Sequence, residues 1–342
     1  MASALLSAFL VVGSPGAQGQ TLLRYEFAEP AMGLTIRIVL YAPSEDMGLD
    51  GAKAAFVRIR ELSWLMSDYD PDSELRQLCR TATAERAVKV SDDLWKVLVA
   101  AREVSDATSG AFDITVGPIV ALWRKARAVR QLPNEGELQE ALRSTGYEHV
   151  VPDPEEHAVR LTAPNMRLDL GGIATGYSVG QALKLLADRG FGSALIDAGG
   201  DLALGDAPPG QDGWCIALAG LSSSPPETYL CVANAAVATS GDQWQFVEID
   251  GVRYSHIVDP RTGNALAGRR SVTVVGRDSM TTDAWATALN VLTPDEGLRA
   301  LAGRPEMAAH CEYELEGQYR TDESVGWLAL IGAGLLRRVY DD

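Results

Sequence analysis

Apolar and polar positions along the 342-residue chain change their rhythm near its middle. In the first half, "LLRYEFAEPAMGLTIRIVLYA" alternates well enough for two strands paired around a Met32-Gly33 turn. The segment after it places Ala52, Ala55, Phe56, Ile59, Leu62 and Met66 at helical spacing, which predicts a helix with one face packed on a sheet. A second helix is expected over roughly 91 to 108, with Ser91 as N-cap and Leu94, Leu98, Ala101 and Val104 turned inward. Residues 125–160 are polar, charged and proline-containing, and read as a helical excursion and a turn at the edge of the fold.

From residue 168 the texture becomes short apolar strands broken by glycines: "RLDL", "SALIDAGG", "GWCIALAG", "TYLCVANAAVATSG", "QFVEIDGVRYSHI" and "RRSVTVVG". One more helix starts near Thr281, and "SVGWLALIG" is read as a closing strand. A helix-rich half followed by a strand-rich half, with no repeat and no low-complexity linker, points to an α+β fold with one long core over residues 21–342. The expected sheet is mixed but largely antiparallel, flanked by helices.

Composition narrows the functional classes. Apolar residues make up 46% and charged residues 22%, the profile of a globular chain. A formal net charge of -16 repels nucleic acid and anionic lipid, so neither is an expected partner. "MASALLSAFLVVGSPGAQGQ" has an apolar run of signal-peptide length with Ala17 and Gly19 in a cleavage-like pattern, though no Lys or Arg precedes it. Export to the periplasm or beyond, with residues 1–20 removed, is the expectation, and no integral membrane span is expected in the mature chain. Cys79, Cys215, Cys231 and Cys311 lack metal spacing; buried small hydrophobes are preferred over a disulfide.

Several stretches carry chemistry. Gly171 and Gly172 in "LDLGGIATGYSVGQAL" either bring bare N–H groups to an anion or simply make a tight turn. Gly199 and Gly200 in "IDAGGDLALG" allow a close ligand approach or a sheet bend, the bend being favoured. Asp283 and Thr287 are four apart, so on a helix their oxygens share a face; they could face a hard cation such as Mg²⁺ or form local bonds within the helix. His256 precedes a turn built from Asp259, Pro260, Thr262 and Gly263, a position from which loops often present catalytic groups. Thr239, Ser240 and Gly241 offer hydroxyl and backbone donors for a phosphate or a turn.

Taken in order from about residue 31 to 292, these stretches resemble the ApbE family, the FAD:protein FMN transferases. The shared segments include "AMGLTIRI", "LMSDYDPDSELRQL", "SGAFDITVGPIVALW", "LDLGGIATGYSVGQAL", "VATSGD", "YSHIVDPRTGNAL" and "MTTDAWATALNVL". The resemblance implies an ApbE-like fold and a Mg²⁺-dependent enzyme that moves FMN from FAD onto a Ser or Thr hydroxyl of a target protein, releasing AMP. It implies His256 as the base and Asp283, Thr287 and the Ala174 carbonyl as metal ligands. Met32, Tyr69, Ser73, Glu74, Asp113 and Thr115 fall in segments that border the flavin. Gly171, Gly172, Thr175, Gly199, Gly200, Thr239, Ser240, Gly241 and Asp259 complete the cofactor-contacting set, Asp259 chiefly by shaping the His256 loop.

The chain departs from the family pattern where charge matters. Thr175 stands where the family usually has Lys, Gln243 and Gln245 replace a usual Tyr and Arg, and Leu34 replaces a Thr. Two cations near an anionic ligand are thereby lost, and the sequence places none of Lys125, Arg269 and Arg270 as a substitute. An FAD-binding protein without transfer, or an FAD pyrophosphatase giving FMN and AMP, are the alternative readings.

Overall fold

The computed structural model describes residues 21–218, 220–221, 228–243, 245–315 and 317–338. The expected leader lies outside them. Strands Leu23–Ala31 and Leu34–Ala42 pair around Met32 and Gly33, whose φ values of 55° and 74° match the right-handed twist of a hairpin. This hairpin opens an eight-stranded sheet that continues through Ala194–Ala198, Asp201–Leu204, Ala235–Gly241, Arg270–Gly276, Ala308–Leu315 and Gln318–Glu323. Strand order in the sheet follows chain order, and every pairing within it is antiparallel.

Alternation along these strands feeds both faces of the sheet. On one face Ile36, Ile38, Leu40 and Ile196 meet Phe56 and Ile59 of helix α1 (Glu45–Leu65). Ser44 caps α1 by accepting from Met47 N. On the other face Val39, Leu195, Val237 and Val275 meet Trp214 and Leu230 of a three-stranded sheet (Trp214–Leu218, Thr228–Val232, Leu336–Arg338) and Trp327. The apolar interior is therefore divided by the sheet and is not one long core.

Helices α2 (Glu74–Thr81) and α3 (Asp92–Ala107) follow, with Ser91 capping α3 through Leu94 N as expected. The excursion consists of α4 (Gly117–Val129) and α5 (Glu135–Arg143). Ile119, Trp123 and Ala126 of α4 pack with Val258 and Ala265 of a second small sheet, Phe246–Ile249, Val252–Val258 and Ala265–Ala267. Trp123 Nε1 donates to the Gly263 carbonyl at 2.9 Å, fastening α4 to the turn beyond that sheet's middle strand.

Helix α6 (Ala174–Asp188) adds Val179, Ala182 and Leu186 to the α1 layer and crosses α7 (Ser279–Val291) at very short range. A Cβ on Gly176 would lie 2.2 Å from the Ser279 carbonyl oxygen and 2.6 Å from Asp283 Cβ, so only glycine fits there. Helices α8 (Pro294–Leu301) and α9 (Val325–Gly332) complete the set.

Four local expectations change. "RLDL" is not a strand: Leu168–Leu170 runs irregularly, tied by the Asp169 N–H to the Ile114 carbonyl at 2.7 Å. "SVGWLALIG" forms α9 because Ser324 caps it through Trp327 N; Trp327 is buried, whereas Val325, Leu328 and Ile331 are exposed. Helix α7 begins two residues before Thr281, capped by Asp278, which leaves Asp283 free of that task. Cys215 and Cys231 face each other across antiparallel strands and form a disulfide, which replaces the reading of both as isolated buried hydrophobes.

Candidate active site

The α6–α7 crossing creates an unusual set of oxygens. In a helix that began earlier, the Gly176 N–H would bond the Gly172 carbonyl; instead it donates to Asp283 Oδ2 at 2.9 Å. The Gly172 carbonyl and the Thr287 hydroxyl have no hydrogen bond among the described residues. Gly172 itself packs against Thr287, since a Cβ on it would lie 2.9 Å from Thr287 Oγ1. The Asp283 carboxyl and the Thr287 hydroxyl stand one turn apart on α7 at this crossing, and oxygens of these kinds suit a hard cation.

The Ala174 carbonyl, the expected ligand, accepts the Ser178 hydroxyl at 2.7 Å within the first turn of α6. That bond uses one of its two lone pairs, and Ala174 lines the same cavity as Gly172 and Thr287. Gly171 and Gly172 keep negative φ, so glycine is needed for close packing here and not for a left-handed turn. Asp283 is buried, which raises its pKa, and Asp201 is raised by burial and then by the charge of Asp283. A cation beside them would relieve that cost. Among the described residues no cluster of three His, Cys, Asp or Glu side chains could hold a metal, so any site here depends on the hydroxyl and carbonyl.

His256 lies on the strand Val252–Val258. Its backbone N–H donates to the Gln245 carbonyl at 3.0 Å, and its Nδ1 lies 3.2 Å from the same oxygen. A carbonyl can only accept, so Nδ1 carries the proton and Nε2 keeps its lone pair. Burial lowers the imidazole pKa and Arg127 lowers it further, outweighing the Gln245 bond and Asp242, so the ring is neutral at pH 7.

One cavity of about 690 Å³ brings together His256, Met32, Tyr69, Asp113, Gly171, Gly172, Ala174, Thr175, Ser240 and Thr287. Tyr69 is 74% exposed and lies under the Arg124 guanidinium, 4.4 Å from the ring centroid, leaving an aromatic face at the mouth. Asp113 Oδ1 accepts from the Thr115 N–H at 2.8 Å and hydroxyl at 2.6 Å, and burial raises its pKa. Thr115 is fully buried and acts through that grip.

Other expected contacts stand behind the wall. Ser73 caps α2 and donates to the Ser67 carbonyl at 2.6 Å, shaping the loop that holds Tyr69. Glu74 spends both oxygens on the N–H and hydroxyl of Ser91. Gly199 and Gly200, at φ 66° and 116°, make the hairpin bend before Asp201. Thr239 pairs with the Thr273 hydroxyl at 3.0 Å, and Gly241 abuts the Arg270 carbonyl. Asp259 clamps Arg261 and orders the turn after His256, where Pro260 reaches the cavity instead. Asp283 touches the site through the Gly176–Thr287 crossing and does not line the cavity itself.

The cavity also uses residues that sequence reasoning passed over: Asp68, Arg124, Arg127 and Asp169. Asp169 sits two positions before the glycine pair and accepts from the Gly171 N–H at 2.9 Å. Its spacing from that pair was available as a signal. Arg124 and Arg127 share a helix face at i, i+3, a pattern visible only once α4 is known to turn that face inward.

The sequence model of the ApbE family matches residues 32–311. The chain is 32% identical over 278 residues to the FAD:protein FMN transferase of Vibrio cholerae, covering 79% of this chain and 81% of that one. It is 30% identical over 315 residues to the Treponema pallidum protein of the same name, covering 87% and 86%. The crystal structure of the ApbE protein from Thermotoga maritima superposes with a TM-score of 0.79 at 29% identity, covering 90% of this chain and 99% of that one. The apo form of Pseudomonas stutzeri flavinyl transferase ApbE gives 0.80 at 26% identity, covering 92% and 98%.

Proposed function

The chain belongs to the ApbE family, and we propose that it transfers FMN from FAD to a Ser or Thr hydroxyl of a protein in a Mg²⁺-dependent reaction that releases AMP. The observation that carries this reading is the placement of His256 in the same cavity as Gly172 and Thr287, with a ring nitrogen free to take a proton.

The acceptor hydroxyl loses its proton to His256 Nε2 as its oxygen bonds to the FMN phosphorus. The bond from that phosphorus to the bridging oxygen breaks, and AMP leaves with the electron pair. The Gln245 carbonyl holds the ring through Nδ1, and its partial negative charge steadies the imidazolium that forms. Tyr69 and Met32 offer apolar surface to a flat ring system at the cavity mouth. Asp283, Thr287 and the Ala174 carbonyl would hold Mg²⁺, which when bound offsets pyrophosphate charge.

Export of the chain is supported by the Cys215–Cys231 disulfide, since such bonds persist in oxidising compartments. The test of function is incubation with FAD, Mg²⁺ and a peptide in which Asp-x-x-Ser/Thr-Gly-Ala, the pattern that the family resemblance implies for a target, is followed by an acceptor Ser or Thr, with mass spectrometry of the products. An FMN adduct on the peptide with one AMP per adduct is expected. FMN and AMP without adduct would mean pyrophosphatase activity, and unchanged FAD would mean binding alone.

A further inference from the structure

The charged wall of the cavity consists of Asp68, Asp113, Asp169, Arg124 and Arg127, with His256 neutral. Arg124 is committed: its guanidinium lies 2.6 Å from Asp68 and 2.9 Å from Asp169. Asp68 also takes Arg167 at 3.3 Å. Arg127 lies on the same helix face, half-buried, and no hydrogen bond or ion pair to its guanidinium occurs among the described residues. Its charged neighbour is another cation, Arg124, and no carboxylate among the described residues pairs with it. Arginine does not escape this by losing its proton.

The basic residues Lys125, Arg269 and Arg270 are occupied elsewhere. Lys125 is exposed and 3.8 Å from Glu137. Arg269 donates to Tyr319 and to the Leu221 carbonyl. Arg270 donates to the Asn290 and Leu292 carbonyls. Thr175 and Gln245, both uncharged, line the same cavity as Arg127. Asp68 and Asp169 are taken by Arg124, and a half-buried cation that pairs with neither is costly unless an anion completes it.

We propose that Arg127 is the binding residue for the pyrophosphate of FAD in this chain, supplying from α4 the positive charge that positions 175 and 245 lack. The inference rests on the function proposed above and deepens it. Arg127 reaches the cavity from the side of His256, so it would also restrain the phosphorus that His256 serves.

The test is calorimetric titration of the full chain with FAD and separately with riboflavin, in Mg²⁺ and without acceptor. Arg127→Gln is expected to weaken FAD binding about tenfold, the difference between a charge-assisted and a neutral hydrogen bond. Riboflavin, which has no phosphate, should bind unchanged, and Arg127→Lys should recover much of the loss. Thr175→Lys placed in the Arg127→Gln background should also restore FAD binding. An FAD affinity within about twofold of wild type, or equal losses for both ligands, would overturn the assignment. A raised KM for the acceptor peptide at unchanged FAD affinity would overturn it too, and would give Arg127 to peptide recognition. Because titration requires no turnover, a wild-type chain that binds FAD but forms no adduct would sink the function proposal and leave the Arg127 result readable.

Discussion

For a single side chain, His256 shows how much one hydrogen bond decides. Its Nδ1 proton is held by the Gln245 carbonyl, so the cavity receives a base and not a second donor. Replacing it by Ala should lower the transfer rate ~10²- to 10⁴-fold, with FAD affinity nearly unchanged in a titration. The pH sign follows from burial. The folded pKa lies below the ordinary histidine value, so the neutral, active form persists as pH falls through 6.5. The acid limb of kcat/KM should therefore lie below that value, Arg127 helping to depress it and Asp242 opposing. A limb above pH 7 would contradict the placement of His256. The residues expected at the metal are legible to different degrees: Asp283 and Thr287 are chemically distinctive at i, i+4, whereas Ala174 would contribute only a carbonyl, which every residue has.

Between elements, the α6–α7 crossing is the decisive contact. Gly176→Ala would drive a methyl into the backbone of Ser279, and overpacking of this kind costs about 1–3 kcal/mol. The urea midpoint should fall accordingly, and Mg²⁺-dependent activity should fall more steeply, because the same crossing sets Gly172 against Thr287. An unchanged midpoint would mean the helices can separate freely. The first hairpin, α1 and α3 were readable from periodicity and caps, since local rules decide them. "SVGWLALIG" was not: a short apolar run fits a strand or a helix equally, and here the Ser324 cap and the single inward Trp327 settle the outcome.

Across the whole molecule, the cavity wall draws on residues from Met32 to Val291, so a ligand held there ties distant parts of the chain together. FAD with Mg²⁺ at a hundredfold excess over Kd should add ~2.7 kcal/mol to stability. The expected result is a rise of several degrees in Tm by calorimetry, reversed in part by EDTA. No shift at saturating ligand would count against the cavity as the binding site. The charge of -16 works against an anionic substrate at long range, which gives the local cation on α4 its importance.

Sequence alone determined the order of motifs, the family resemblance, the residue types suited to base and cation chemistry, and the missing charges at positions 175 and 245. These are legible because they depend on side-chain identity and short spacing. Only the tertiary structure decided that Gly172 packs against Thr287, that Ser73 and Glu74 stand behind the wall, that Cys215 meets Cys231, and that Arg127 faces the cavity without a partner among the described residues. Each of those depends on which groups distant in the chain are brought within a few ångströms, and on which hydrogen bonds are already taken when they arrive.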